Sequence, residues 1–383
     1  MLLCGNDESL RCVFPKWTAR MVKHLQRSQV HTTMSFDDTN HHREGLTTSH
    51  HDWAMLQVGK LVEHQAVITI DSNTSVEDAC EILLTHGISS APVHDAQKKT
   101  YVGMFDYSDL MTYVLLVLKK MEIPLEDQSM EMRDLILKTS RSQSVPVKLA
   151  SDISGKDPFC TVLAETRLGA VVNDFGTGIH RALTTEALTE GSLYTVHAVA
   201  VMDATGNIAG ILSQSSTLDY LMRHLSEFPQ LQPVMQQTLQ QLGLSTGKVL
   251  SVNGEAQVLE ALMMMSMGTH SVSSLAVLDD QGVLLGNISM TDIQHIMKHL
   301  KASWLWLTCF QFMSKVRMSR GVETGEDQYP VLDVSSKATF GYTLAKLQAT
   351  KVHRLWVVSE MGLVEGVVSL TDVFKLLTKE VDS

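Results

Sequence analysis

The chain of 383 residues is 44% hydrophobic and carries a formal net charge of −11. Such a length suits two or three globular units, and an acidic chain without a Lys/Arg cluster argues against a nucleic-acid surface. Cys4, Cys12, Cys80, Cys160 and Cys309 are scattered with no Cys-x-x-Cys pair, which argues against a disulfide framework or structural zinc and for a reduced intracellular compartment.

Residues 1–57 read as a flexible N-terminal segment, with one helix-like stretch, "WTARMVKHLQRSQV", and a His-rich piece, "HHREGLTTSHH", that lacks acidic or Cys partners for a metal. The opening "MLLCGNDESLRC" has neither the charged start nor the apolar core of a secretory signal. The apolar runs "YVLLVL" and "WLWLTCFQFM" are far shorter than the ~20 residues of a membrane span. A cytoplasmic location, with the nucleus also open, is the expectation.

From Val58 the pattern turns regular. Residues 58–120 hold a strand "AVITI", a helix "SVEDACEILLTHG", strands "ISSAPVHD" and "YVGMF", and a helix from Tyr107 or Ser108, which is β-α-β-β-α. The unit returns over 145–226, lengthened by an insertion at about 183–194, then over 244–301 and 328–379. In copy three Met263, Met264, Met265 and Met267 crowd one helix, where Met is ordinary pliable core filling. The linker "WLWLTCFQF" is too apolar to leave in water, so it is expected to be buried between modules, with a partner site as the other reading. The fold class is therefore α+β, four repeats arranged two plus two, each pair covering sheet faces that one unit leaves bare.

Each copy closes alike: "GMFDYSDLMTYV", "GILSQSSTLDYL", "GNISMTDIQHIM" and "GVVSLTDVFKLL". Taken alone, Ser-x-x-Asp is a capping box, in which the hydroxyl and the acid satisfy helix-end donors. The fourfold recurrence makes it a repeat signature.

The repeats resemble CBS domains, and their pairs resemble Bateman modules, over residues 58 to about 379. The carriers are this Gly-x-hydrophobic-Ser/Thr-x-x-Asp motif and "KVHRLWVVSEMGLVEGVVSLTDVFKLL", which resembles the last repeat of AMP-activated protein kinase gamma subunits. "CFQFMSKVRMSRGVETGEDQYPV" and "TLAKLQATKVHRLWVV" are more similar to a fungal family of stress-response and cell-cycle regulators described as protein-phosphatase inhibitors.

The resemblance implies adenine nucleotide (AMP, ADP or ATP) as a regulatory ligand and no required cofactor. A first-turn carboxylate suits ribose hydroxyls, and a hydroxyl at a helix N-terminus suits phosphate. On that basis Asp372 would hold ribose, with Thr371 or Ser369 on phosphate, and Ser289, Thr291 and Asp292 repeat the set in copy three. Copy one keeps Asp109 but has Asp106 where the first hydroxyl belongs, so it is a weaker third site; copy two has Ser216 in place of the acid. His353 and Arg354 match the gamma-subunit phosphate contacts, Arg being suited to fork onto phosphate oxygens. In copy two, His180 and Arg181 of "GIHRALTT" match as a dipeptide, whereas His197 in "TVHAVAV" lacks the Arg; the former pair is taken as the equivalent.

Enzymatic alternatives are thin. "LGLSTGKVL" has the wrong glycine spacing for a phosphate-binding loop, and Val249 stands where a magnesium-binding hydroxyl belongs. "FGTGIHR" lacks the third glycine of a dinucleotide fingerprint. The repeats leave no room for a catalytic domain, so the expectation is a non-enzymatic regulator of a protein kinase or phosphatase partner, with homodimerisation left open. The alternative is a constitutive CBS-fold scaffold that has lost nucleotide response.

Overall fold

The computed structural model describes residues 53–118, 130–141, 143–180, 193–247, 249–267, 272–298, 301–324 and 332–381. The His-rich stretch, the N-terminal helix-like segment and Arg181 lie outside the described residues.

Among the described residues the chain forms four three-stranded sheets and one two-stranded hairpin. In copy one, β1 (Ile70–Asp71) lies parallel to β2 (Ser90–Asp95), which pairs antiparallel with β3 (Thr100–Asp106). Only Ile70 of the expected "AVITI" strand is paired. Between β1 and β2 runs the helix Val76–His86, started by the Ser75 side chain accepting from the Asp78 N–H and stopped by Gly87 in the left-handed conformation. The closing helix, Tyr107–Val117, follows β3 directly.

The other sheets repeat this plan: β4 (Thr161–Leu163), β7 (Ala198–Met202) and β8 (Ile208–Ser213); β9 (Ser251–Asn253), β10 (Ser274–Leu278) and β11 (Leu284–Ser289); β12 (Asp333–Ser335), β13 (Arg354–Val358) and β14 (Val364–Ser369). Each middle strand carries its irregularity at the same place, after Val93, Val201, Val277 and Val357. The insertion of copy two leaves and re-enters through a hairpin base, β5 (Ile179–His180) against β6 (Leu193–Tyr194).

Reciprocal lead-in segments tie the copies into pairs. Gln57, ahead of copy one, bridges to Arg167 in copy two, while Pro146, ahead of copy two, bridges back to Ser75. In the second pair, Thr238 bridges to Thr339 and Thr308 to Gln257 in the same crossed manner. This crossing corrects the flexible N-terminal segment at its end. Trp53 and Ala54 are buried against copy two, because the turn they start must cover that repeat's first helix, Leu168–Thr177.

The motif glycine has a physical reason here. A Cβ at Gly366 would lie 2.6 Å from the Ser245 carbonyl of the crossing segment, and one at Gly103 would lie 2.9 Å from the Ser151 hydroxyl. Only hydrogen at Cα admits the partner backbone so closely.

The sheets of copies three and four meet through Ala276, Leu284 and Trp356. The helices bury their apolar faces differently, across the pairs. One large cluster joins copies one and three, through Leu110, Met111 and Val114 with Val258, Leu262 and Met265. The other joins copies two and four, through Val171, Val172 and Phe175 with Val373, Phe374 and Leu377. The apolar linker is absorbed against copy three in the first cluster, with Leu305, Cys309 and Phe312 almost fully buried. Met265 is core as expected, whereas Met264 is 45% exposed.

Candidate functional site

All four closing turns are helix starts, and each carboxylate or hydroxyl first serves its own helix. In copy four, Oδ2 of Asp372 accepts from the Ser369 N–H at 2.9 Å and from the Ser369 hydroxyl at 2.6 Å. Its other oxygen, Oδ1, accepts no hydrogen bond among the described residues. In copy three, Oδ2 of Asp292 accepts from the Ser289 N–H at 2.7 Å, and the Ser289 and Thr291 hydroxyls lie 2.8 Å apart. Capping and ligand binding are therefore compatible at copy four, where a carboxylate oxygen remains over.

Copy one differs. Asp109 is 2% exposed, and both its oxygens are taken: Oδ2 by the Asp106 N–H at 3.2 Å and Oδ1 by the Ser154 N–H at 2.9 Å. Burial, then the charge of Asp106, raises the Asp109 carboxyl well above its ordinary value, and burial pushes Asp106 up to about 6. As it stands, Asp109 has no lone oxygen for a ribose.

The backbone fixes which residues are equivalent before each middle strand. In copies two, three and four the first residue of the closing helix donates its N–H to the residue ahead of that strand: Leu370 to the His353 carbonyl, Met290 to Ser273 and Gln214 to His197. His197, not His180, is therefore the counterpart of His353. His180 lies in β5 at the base of the insertion hairpin, so the assignment to His180 and Arg181 is corrected. The dipeptide misled because the insertion sits between the first helix and the true middle strand, and His197 is followed by Ala198 rather than Arg. The strand pattern "HAVAV" was the signal that could have found it.

The groups ahead of the middle strands meet where the pairs join. Arg354 reaches out of copy four to donate to the Ser273 hydroxyl of copy three at 2.5 Å. Burial pushes its guanidinium down to about 10, against the opposing pull of the Asp372 charge. No carboxylate among the described residues forms an ion pair with it. Crowding by protein atoms, then the nearby His197 and Arg354, pushes His353 down to about 4, although the residue as a whole is exposed. Lys156, pushed down to about 8 chiefly by burial, donates to the Val272 carbonyl at 3.0 Å and to the Met265 carbonyl. Asp157 accepts from the His197 N–H at 2.9 Å.

Thr371 accepts from Nε2 of the buried Gln214 at 3.1 Å, a bond that crosses from copy two to copy four. Behind Ser289 and Asp292 lies a narrow apolar crevice, without room for a water molecule, walled by Leu262, Ile288, Ile293 and Phe312. Its lining suits a flat apolar ring, but a small-molecule site typically has ~300 Å³ or more, so a purine would have to open this crevice. Among the described residues no cluster of His, Cys, Asp and Glu fits a metal ion, and no helix is long and apolar enough to cross a membrane.

Comparison with known proteins meets this geometry. The CBS domain family matches residues 58–116, 243–299 and 328–379. Protein SDS23 of Yarrowia lipolytica is 32% identical over 375 residues, covering 90% of this chain and 69% of the relative. The chain belongs to the SDS23 family of CBS-domain proteins. Protein sds23 of Neosartorya fischeri, 32% identical over 317 residues, is matched over 81% of this chain but 55% of its own length. Family relatives thus carry sequence beyond what this chain spans.

Among solved structures, protein MJ1225 of Methanocaldococcus jannaschii, proposed as an archaeal homolog of g-AMPK, superposes with a TM-score of 0.58. It is 13% identical and covers 84% of this chain and 100% of its own, a likeness of fold. The α+β fold of tandem CBS repeats forming Bateman modules agrees with the sequence reading. Copy two, which the family match passes over, is a CBS unit by its sheet order and register.

Proposed function

We propose that the protein is a non-enzymatic regulator that binds adenine nucleotide in its second module and modulates a partner protein kinase or phosphatase in the cytoplasm and nucleus. The observation that carries this reading is the copy-four turn. Asp372 keeps one carboxylate oxygen free of hydrogen bonds, while the half-buried Arg354 guanidinium feels the Asp372 charge, donates to the Ser273 hydroxyl and forms no close ion pair among the described residues. A half-buried guanidinium without a close ion pair leaves donors to spare, and an arriving phosphate would take them in charge-assisted hydrogen bonds. Ribose hydroxyls could then donate to Asp372, with Ser369 and Thr371 nearby as hydroxyl donors. Nucleotide would act by binding the two partner-competent conformations unequally.

Isothermal titration with AMP, ADP and ATP tests the reading. Saturable binding that is lost in Asp372→Ala and reduced in Asp292→Ala supports it, and no binding by folded protein up to millimolar nucleotide refutes it. A constitutive scaffold is the second reading, favoured by the small cleft in copy three and by capping boxes that already occupy part of each carboxylate. Unchanged partner binding in both variants would establish that alternative.

A further inference from the structure

The closing turn of copy one is held by a single short segment, residues 152–157, which precedes β4 and touches the other copies as well. Asp152 pairs with β3, its N–H on the Met104 carbonyl at 2.9 Å and its Oδ1 accepting the Met104 N–H at 3.1 Å. Asp152 and Gly155 both take left-handed backbone conformations, φ 55° and 62°, which turn the chain twice within four residues. The Ser154 N–H between them falls on Oδ1 of Asp109, the carboxylate expected to hold a ribose. Two residues on, the Lys156 side chain, 9% exposed, ends on main-chain carbonyls of copy three, and Asp157 binds the His197 N–H of copy two. The Asp157 charge is felt by His353 of copy four.

We infer that residues 152–157 are a built-in occupant of the copy-one position: a strap that fills it with a backbone donor and fastens copies one, two and three to one another. The position is thereby closed to nucleotide, and copy one works as a clasp between modules. The geometry alone carries the strap; its consequence for nucleotide rests on the function proposed above. Copy four is the contrast, because its carboxylate keeps an oxygen that copy one has given to Ser154.

The test is hydrogen–deuterium exchange on the full chain, wild type against Lys156→Met and Asp109→Asn, each close in shape to the residue replaced. A strap acting as one unit predicts that each variant speeds exchange at the ends it does not touch. Lys156→Met should accelerate exchange at least fivefold in peptides covering Met104–Asp109 and Val196–Val199, and Asp109→Asn should do so over Val272–Leu278. Acceleration confined to the directly contacted peptide overturns the inference. A second arm adds saturating AMP to the wild type: unchanged exchange over 152–157 agrees with a closed position, and faster exchange there means that nucleotide displaces the strap. Should the protein bind no nucleotide, the variants still decide the matter, so failure of the functional reading is distinguishable from failure of this one.

Discussion

The two joints between the modules share an apolar centre but differ in what they do with charge. Between copies two and four the helices Leu168–Thr177 and Leu370–Val381 cross so closely that a Cβ on Gly176 would lie 2.5 Å from the Lys375 backbone nitrogen, with the Phe175 and Phe374 rings tilted at 54° and their centroids 5.5 Å apart. Between copies one and three the joint is edged by the half-buried Asp106 and the buried Asp109 and Lys156, each already bonded to protein. The first joint uses polar contacts, Gln214 on Thr371 and Gln348 on Asp219, and leaves one oxygen of Asp372 without a hydrogen bond among the described residues. In the second, the polar groups are consumed by the joint itself.

The largest expected effect breaks the apolar joint. Gly176→Val would push a branched side chain into backbone and should cost about 3 kcal/mol or more, read as a lowered urea midpoint. An equal loss from Gly87→Val, in open space but at φ 61°, would show that backbone strain rather than helix proximity decides. Next, Arg354→Met should weaken AMP binding roughly 10- to 100-fold, the scale of a charged hydrogen bond, with little change in stability. Titration calorimetry checks it, and an undiminished affinity would remove the distinction between the joints.

Asp106→Asn sharpens the other side. Because folding raises this carboxyl to about 6, its ionised form weighs against the native state, so wild-type stability falls as pH rises through about 6. The variant should gain about 1–2 kcal/mol at pH 7.5, the gain fading as pH drops through about 6 toward 4, in urea unfolding at several pH values. Asp109, Asp157, His197 and Lys156 surround the group and set the size of the effect. The smallest effect concerns His353, kept neutral with a pKa of about 4. A phosphate beside it favours the charged form, so AMP binding should take up a fraction of a proton near pH 5.5 and tighten less than about tenfold from pH 7.5. Calorimetry in buffers of different ionisation enthalpy measures that uptake, which His353→Ala should abolish.

Much of this was legible in the chain. Periodicity located the four β-α-β-β-α units, and the Gly-x-x-Ser-x-x-Asp motif located the closing turns, because strand, tight turn and helix cap are all local preferences. The copy-two histidine was missed although the strand pattern after it was present, since a dipeptide match carries no register and the insertion hairpin displaced the true middle strand to His197. At Asp109 the sequence showed the missing first hydroxyl but not the competitor for its second oxygen, because Ser154 is 45 positions away.

The sequence by itself determined the repeat, its copy number and the chemistry presented at each helix start, because these depend on residues within a dozen positions of one another. Only the tertiary structure decided that copy one pairs its helices with copy three and copy two with copy four, and which carboxylate keeps a free oxygen. Those outcomes follow from packing and hydrogen-bond competition between segments distant in the chain, where a carboxylate oxygen goes to whichever donor the fold brings within reach.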